Sequence, residues 1–145
     1  IRDRLTTEQW KNVIQVNLTG LFYCLQALGP IFKTQQTGAA LIVSSLASTQ
    51  GTTGQTAYAA SKAGVLGLMR SVAQEWGPSN IRVNAVFPGW HQSPLSGNAF
   101  PDPNCCPDHL LGRTPNLTAT ANIIFHLATA QDISGQIFNL DSRIG

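Results

Sequence analysis

The sequence predicts an α/β fold with a parallel sheet, because helical and strand-like segments alternate along its 145 residues. A continuous apolar run that ends in two serines, residues 39–45, has the length of a strand buried in a parallel sheet, and residues 81–87 indicate another strand. Apolar residues spaced three or four positions apart indicate long helices on either side of the first run. The whole pattern is helix–strand–helix–strand–helix–strand, which favours one sheet covered by helices.

The first helix begins after Thr6, which with Gln9 three positions later has the pattern of a capping box. A long apolar stripe follows, formed by Trp10, Val13, Ile14, Leu18, Leu21, Phe22, Leu25 and Leu28. Asn17 falls on this stripe, where a polar side chain must find hydrogen bonds. Asn17 is therefore either a satisfied core asparagine or a functional residue. We expect Gly29 and Pro30 to kink or end the helix.

The apolar run at residues 39–45 ends in two serines and predicts a strand that is buried on both faces. In open α/β sheets, ligands bind outside the carboxyl ends of the strands. Ser44 and Ser45 lie at such an end, and Ser45 is therefore a candidate site residue. A loop rich in glycine and threonine, residues 49–56, leads to the next helix.

The second helix is predicted at about residues 57–76 and carries Tyr58 and Lys62, four positions apart. This spacing places a phenol and an ammonium group on the same helix face. The ammonium stabilises the phenolate form, so the phenol can exchange a proton with a substrate near neutral pH. Together with the hydroxyl of Ser45, the pair indicates carbonyl–alcohol chemistry. Taken alone, the pair is also explained by chance, because many helices contain this spacing.

Three further segments complete the alternation: a strand at residues 81–87, a helix near residues 118–129 and a strand at residues 136–140. Pro88 and Gly89 end the first of these strands. They lead into a long irregular segment rich in proline, residues 90–111, which we call the substrate loop. Irregular segments of this length are usually functional, so we expect this loop to select the substrate.

Composition argues against several classes of function. The formal net charge is +2 and no basic run is present, so nucleic acid is not an expected partner. No apolar stretch reaches the ~20 residues of a membrane-spanning helix. The cysteines, Cys24, Cys105 and Cys106, form a poor disulfide framework and favour a reducing, cytoplasmic location. Charged residues make up only 11%, so we expect much of the surface to be covered by a partner subunit, by the missing half of the domain, or by both.

A group of residue types that can bind metals lies in or near the substrate loop: His91, Cys105, Cys106, Asp108 and His109. Zinc sites prefer cysteines separated by two to four residues, and adjacent cysteines do not easily bind one ion together. No metal site is therefore predicted.

The order and spacing of the motifs resemble those of the classical short-chain dehydrogenase/reductase family. The motifs are Asn17 within residues 16–20, Ser45 closing residues 41–45, Tyr58 with Lys62, and the segments 82–89 and 133–141. The resemblance covers about residues 5–141 and implies a doubly wound, Rossmann-type parallel sheet. Family members open with a glycine-rich turn and an Asn-Asn-Ala-Gly-like motif, neither of which occurs in this sequence. We therefore expect residues 1–145 to be the C-terminal part of such a domain, without its glycine-rich half.

The resemblance implies a role for each of four residues. Tyr58 would be the general acid or base, and Lys62 would support it and contact the nicotinamide ribose. Ser45 would bind the substrate oxygen, and Asn17 would hold a water in a proton relay through Lys62. Hydride would come from NAD or NADP, because no side chain can supply it.

The resemblance also implies further contacts with the cofactor and the substrate. Pro88, Gly89 and Ser93 match a Pro-Gly-x-x-x-Thr segment that contacts the nicotinamide carboxamide. Gln55 is a candidate substrate contact beside Ser45 and Tyr58. The tail at residues 141–144 departs from the Asp-Gly-Gly ending of the family, which helps oligomer contacts in relatives.

Function follows from the resemblance as an expectation. It implies an NAD(P)-dependent oxidoreductase of the 3-oxoacyl-reductase type, acting on a small-molecule carbonyl or alcohol. A homodimer or homotetramer through the helices near residues 7–32 and 57–76 is also implied. The alternative is a catalytically inactive fragment that only dimerises. Because the strand at residues 39–45 would have an unpaired edge, we expect the isolated chain to be poorly soluble or to bind an intact relative.

Overall fold

The computed structural model describes residues 5–94, 96–97, 100, 102 and 105–143. The remaining positions of the substrate loop, residues 95, 98–99, 101 and 103–104, lie outside the described residues. Within the described part, none of the helices combines the length and apolar character that a membrane span requires.

Three parallel strands form one sheet in the order β1–β2–β3, which confirms the predicted fold class. The strands are β1 (Gly38–Val43), β2 (Ile81–Phe87) and β3 (Ile137–Asn139). Helix α3 (Thr56–Trp76) connects β1 to β2, and helix α4 (Leu117–Thr129) lies between β2 and β3. Because the strands are parallel, their carboxyl ends all lie at the same edge of the sheet.

The first helical segment consists of α1 (Thr7–Ile14) and α2 (Gly20–Gln35), joined by a π-helical turn at Gln15–Thr19. The predicted capping box is present, with Thr6 Oγ1 accepting from the Gln9 amide at 3.1 Å. Of the two predicted effects of Gly29 and Pro30, a kink or an end, the end of the helix is wrong, because α2 continues through Pro30. Pro30 is exposed, so water can satisfy the carbonyl group that its missing N–H leaves unpaired.

The core lies between α3 and the sheet. Its buried residues include Val65, Met69, Val72 and Trp76 of α3, and Ile81, Val83, Ala85 and Phe87 of β2. The α3 residues are spaced by three or four positions, which places them on one helix face. This face fixes α3 on β2 and thereby sets the position of its first turn beside the carboxyl ends of the strands.

Strand β1 differs from the prediction that it is buried on both faces. Its last residue, Val43, is 51% exposed, and within β1 only Ile42 is buried. The reason is that β1 pairs with β2 alone among the described residues. Beside β1 and α2 lies an open, mainly apolar groove of about 320 Å³. Strand β2 has neighbours on both sides, and it is the strand that is buried almost throughout.

Candidate active site

The carboxyl end of β1 is held against the first turns of α3. The amide of Ser44 donates to the Val86 carbonyl at 2.9 Å, which extends the pairing of β1 with β2 by one residue. Ser44 Oγ donates to the carbonyl of Lys62 at 3.0 Å. In return, Lys62 Nζ donates to the carbonyl of Val43 at 3.0 Å. These contacts place the end of β1 and the Lys62 ammonium group side by side.

Tyr58 and Lys62 lie on the same side of α3. The Lys62 Nζ atom is 5.8 Å from the centre of the Tyr58 ring, and both residues are half-buried. Burial lowers the pKa of the Lys62 ammonium below its ordinary value of 10.5. A partly desolvated cation acts on a neighbouring phenol more strongly than a fully hydrated one. The arrangement is therefore suited to stabilising a phenolate at Tyr58.

Ser45 follows β1 in an extended conformation, with a φ of −156°. Its Oγ accepts from the amide of Ala47 at 3.2 Å and so caps the short helical turn Leu46–Ser48. Within the described residues, the hydroxyl hydrogen of Ser45 has no acceptor. This side chain is thus oriented by its own turn and keeps a donor for a substrate oxygen.

Asn17 reaches the same part of α3 from the π-helical turn. Its Nδ2 donates to Ser61 Oγ at 3.1 Å, and Ser61 Oγ donates to the carbonyl of Tyr58 at 2.7 Å. A Cβ atom at position 64 would lie 2.9 Å from Leu18 Cδ2, so Gly64 permits this close approach of the two helices. Isolated π-helical turns occur frequently at functional sites.

The sequence analysis missed Ser61, although it is completely buried and joins Asn17 to the Tyr58 turn. A signal for it was available. Three positions after Tyr58 in a helix, a serine hydroxyl can reach the tyrosine carbonyl. The partner on the other helix could not be inferred, because it depends on how the helices cross.

Pro88 and Gly89 follow the carboxyl end of β2, next to that of β1. Gly89 has a φ of +86°, and a Cβ atom there would lie 2.8 Å from Pro115 Cγ. The carbonyl of Pro88 accepts a hydrogen bond from His91 Nε2 at 2.9 Å. Glycine is required at position 89 for both conformational and steric reasons, which fixes the course of the backbone at this edge.

Two predicted site residues, Ser93 and Gln55, make no hydrogen bond to Tyr58, Lys62 or Ser45 among the described residues. Ser93 is exposed, and its amide donates to Ser96 Oγ at 2.9 Å within a local turn. Gln55 is exposed one turn before Tyr58, where its backbone carbonyl accepts from the amide of Ala59 at 2.7 Å.

An ion pair beyond β3 also reaches this edge of the sheet. Arg143 Nε donates to both carboxylate oxygens of Asp141 at 3.0 Å, and Arg143 Nη2 donates to Oδ2. Burial acts to raise the pKa of Asp141, but the hydrogen bonds and charge of Arg143 outweigh burial and hold it below 3.8. Conversely, the hydrogen bond and charge of Asp141 outweigh burial and raise the pKa of Arg143. The sequence analysis gave no role to Arg143.

The residue types considered for metal binding are dispersed or paired locally. His109 Nδ1 lies 3.0 Å from the carboxylate of Asp108, and Cys106 Sγ donates to the carbonyl of Asp102. Across the described part of the chain, no three His, Cys, Asp or Glu side chains form a group that could hold a metal ion.

Comparison with known proteins gives consistent matches. A family model described as enoyl-(acyl carrier protein) reductase matches residues 3–142. The chain is 34% identical over 140 residues to the 3-oxoacyl-(acyl-carrier-protein) reductase of Synechocystis sp., a match that covers 95% of this chain and 57% of that protein. It is 37% identical over 148 positions to the corresponding reductase of Thermotoga maritima, covering 97% of this chain and 59% of that protein.

A solved structure agrees with these sequence matches. The crystal structure of acetoin dehydrogenase from Enterobacter cloacae superimposes with a TM-score of 0.87 at 27% identity, covering 98% of this chain and 57% of that chain. This superposition confirms the predicted Rossmann-type α/β fold. The chain spans a little over half the length of each of these relatives.

Proposed function

The chain belongs to the short-chain dehydrogenase/reductase family, and from this premise we propose that the whole protein is an NAD(P)-dependent oxidoreductase. It interconverts a carbonyl and an alcohol, with Tyr58 as the proton donor and acceptor. The substrate we propose is a 3-oxoacyl thioester, because two relatives are named as 3-oxoacyl-(acyl-carrier-protein) reductases. The observation that carries the proposal is the position of Lys62, whose ammonium contacts both the end of β1 and the Tyr58 ring.

In the reducing direction, the Tyr58 hydroxyl donates its proton to the substrate carbonyl oxygen. Lys62 stabilises the phenolate that remains, and Ser45 donates a hydrogen bond that orients the same oxygen. In the oxidising direction, the Tyr58 phenolate takes the proton back from the alcohol. Asn17 Oδ1, which has no hydrogen-bond partner among the described residues, is free to hold a water of the proton relay.

The residues at this edge fit a nicotinamide cofactor. The Lys62 ammonium and the Tyr58 hydroxyl suit the hydroxyls of a ribose, and the backbone of Pro88 and Gly89 is accessible enough to meet a carboxamide. Asn17 and Ser93 complete the proposed cofactor contacts, and Gln55 with Ser45 completes the proposed substrate contacts. When bound, the nicotinamide supplies or accepts the hydride.

We further propose a homodimer or homotetramer in which α1–α2 and α3 face a second copy. Several large apolar side chains of α1–α2 are exposed: Trp10, Val16, Phe22 and Ile31. Packing these side chains against a second copy would remove apolar surface from water. A chain that only dimerises is the competing proposal, and it predicts the same assembly without turnover. The unpaired thiols Cys24, Cys105 and Cys106 support a reducing, cytoplasmic location.

An activity assay on the purified full-length protein tests the proposal. Reduced-cofactor absorbance is followed with NADH or NADPH and a 3-oxoacyl thioester, in parallel with a simple ketone. We expect Lys62→Ala to lower turnover and also to weaken cofactor binding, because the ammonium serves both. Lys33→Ala, which removes an exposed lysine of α2, is the control and should change neither. Absence of turnover by the wild type, with the dimer present, would favour the dimerisation-only alternative.

A further inference from the structure

We propose that Ser44 is a positioning residue that fixes the Lys62 ammonium group beside Tyr58, through hydrogen bonds that join the end of β1 to α3. The proposed function gives a role to the neighbouring Ser45 and none to Ser44. The effect of Ser44 on turnover rests on the proposed function, whereas the connection between the strand and the helix rests on contacts alone.

Ser44 is buried and uses both of its donors to join three elements. The residue is 3% exposed, its amide donates to the Val86 carbonyl of β2 at 2.9 Å, and its Oγ donates to the Lys62 carbonyl of α3 at 3.0 Å. The Lys62 carbonyl lies well inside α3, where the hydrogen bonds of the helix itself already supply a donor. The bond from Ser44 is therefore not needed to form the helix, and its effect is to fix this turn of α3 against the sheet.

Lys62 returns a second hydrogen bond to the same strand end. Its Nζ donates at 3.0 Å to the carbonyl of Val43, one residue before Ser44. The two bonds run in opposite directions and close a ring through Val43, Ser44 and Lys62. The Lys62 bond is exposed, so water competes for it, whereas the Ser44 bond is partly buried. We therefore expect the Ser44 bond to determine where the lysine side chain starts.

The starting point of this side chain decides which groups its ammonium can reach. A lysine has a flexible four-carbon stem, so the ammonium stays near the phenol only if its backbone is well placed. In the structure, Nζ lies 5.8 Å from the centre of the Tyr58 ring. One of the three ammonium hydrogens goes to Val43, which leaves two for the Tyr58 phenolate and for a ribose hydroxyl.

Ser44 also fixes the third group of the proposed site. Ser45 follows it directly in the chain, and the turn Leu46–Ser48 orients the Ser45 hydroxyl. Ser44 is thus joined covalently to Ser45 and by a hydrogen bond to Lys62. One buried residue therefore sets the separation between the hydroxyl that binds the substrate oxygen and the pair that exchanges the proton, a separation on which proton transfer depends steeply.

Hydrogen exchange measured by mass spectrometry on the full-length, ligand-free protein tests the connection. In Ser44→Ala, we expect the amides of residues 57–64 to exchange roughly two- to tenfold faster than in the wild type, because the bond that fixes this part of α3 is lost. Residues 69–76, farther along the same helix, are the internal control and should exchange as in the wild type. Unchanged exchange at residues 57–64, or an equal increase along all of α3, would overturn the proposal.

The pH dependence of alcohol oxidation separates positioning from a purely structural role. Oxidation needs the Tyr58 phenolate, which a well-placed ammonium stabilises. We expect Ser44→Ala to move the pH midpoint of kcat upward by roughly 0.5–1 unit, and so to lower kcat below the midpoint by roughly three- to tenfold, with the substrate KM changed by less than about twofold. A loss of stability alone lowers the amount of active enzyme and leaves the midpoint unchanged.

Asn84→Ala is the control for lost stability. Asn84 is buried in β2, where its side chain donates to the Ile133 carbonyl and accepts from the Gln136 amide, and we expect this variant to keep the wild-type midpoint. A wild-type midpoint in Ser44→Ala, or an equal shift in Asn84→Ala, would overturn the positioning role.

A second variant covers the case in which Ser44→Ala does not fold. Ser44→Cys then decides, because its thiol has a similar shape but is a weak donor, and wild-type exchange with a wild-type midpoint would refute the proposal. If the wild type has no activity, the proposed function fails, while the exchange experiment still decides the connection.

Discussion

The hydrogen-bonded connection from Asn17 through Ser61 to Tyr58 gives the sharpest prediction about stability. Replacing Ser61 with alanine removes a donor to the Tyr58 carbonyl and the acceptor for Asn17 Nδ2. Each net hydrogen bond contributes about 0.5–1.5 kcal/mol, and the better helix propensity of alanine recovers about 0.5 kcal/mol. We therefore expect Ser61→Ala to lower the free energy of unfolding by about 1–2 kcal/mol.

The contact between the two helices can be isolated by a double-mutant cycle. Urea unfolding of the full-length wild type, Asn17→Ala, Ser61→Ala and the double variant should give a coupling energy of about 0.5–1.5 kcal/mol. Ser71→Ala, at an exposed position of α3, is the control and should stay within about 0.5 kcal/mol of wild type. If the effects of Asn17→Ala and Ser61→Ala add to within about 0.3 kcal/mol, the connection does not stabilise the protein as argued.

Three further predictions concern the backbone, pH and the open edge of the sheet. Gly89→Ala should lower the free energy of unfolding by about 1–3 kcal/mol, because an alanine there would have a positive φ and contact Pro115. Gly51→Ala is the control and should not lower it, since a Cβ atom at position 51 would meet no atom within 4 Å. Equal melting temperatures for the two variants would refute this. The pKa of Asp141 is depressed in the folded state. Its contribution to the free energy of unfolding is therefore complete above pH 3.8 and is lost as the pH falls from there through the lower pKa of the folded state. The stability difference between wild type and Asp141→Asn should therefore shrink in acid, and a constant difference would contradict the pairing with Arg143. The 145-residue chain alone should be poorly soluble or bind an intact relative, because among the described residues β1 is paired on one side only and lies beside an apolar groove. A soluble monomer with a cooperative melt would disprove this.

Local patterns in the sequence were sufficient to predict most of the architecture. The apolar run that forms most of β1 and the strand-forming residues of β2 are visible in the sequence, and so is the helical pattern of α3. The helix spacing also placed Tyr58 and Lys62 together, since a four-residue separation fixes their common face. The errors concern Pro30 and β1, where the outcome depends on exposure to water. Pro30 is tolerated within α2 because it is exposed to water, and β1 is only partly buried because β2 is its only partner in the described sheet.

The parts of the site that the sequence did not predict depend on contacts between distant segments. Ser61 acquires its importance from Asn17, 44 residues earlier, and their meeting requires the π-helical turn and the small Gly64. The contact of Arg143 with the Trp90 ring likewise joins residues that are far apart in the sequence. The angle at which two helices cross and the path of a chain terminus leave no periodic pattern in the sequence. Contacts of this kind can therefore be identified only in the folded structure.

The central claim is that Tyr58 exchanges the proton with the substrate while Lys62 supports its phenolate. Turnover by Tyr58→Phe in the full-length protein tests it most directly, because this change removes only the hydroxyl. Tyr23→Phe, at the only other tyrosine, which is exposed on α2, is the matched control. The account predicts that Tyr58→Phe lowers kcat by roughly 10²–10⁴-fold with the fold intact, while Tyr23→Phe stays near wild type. Turnover by Tyr58→Phe equal to that of Tyr23→Phe would contradict the account.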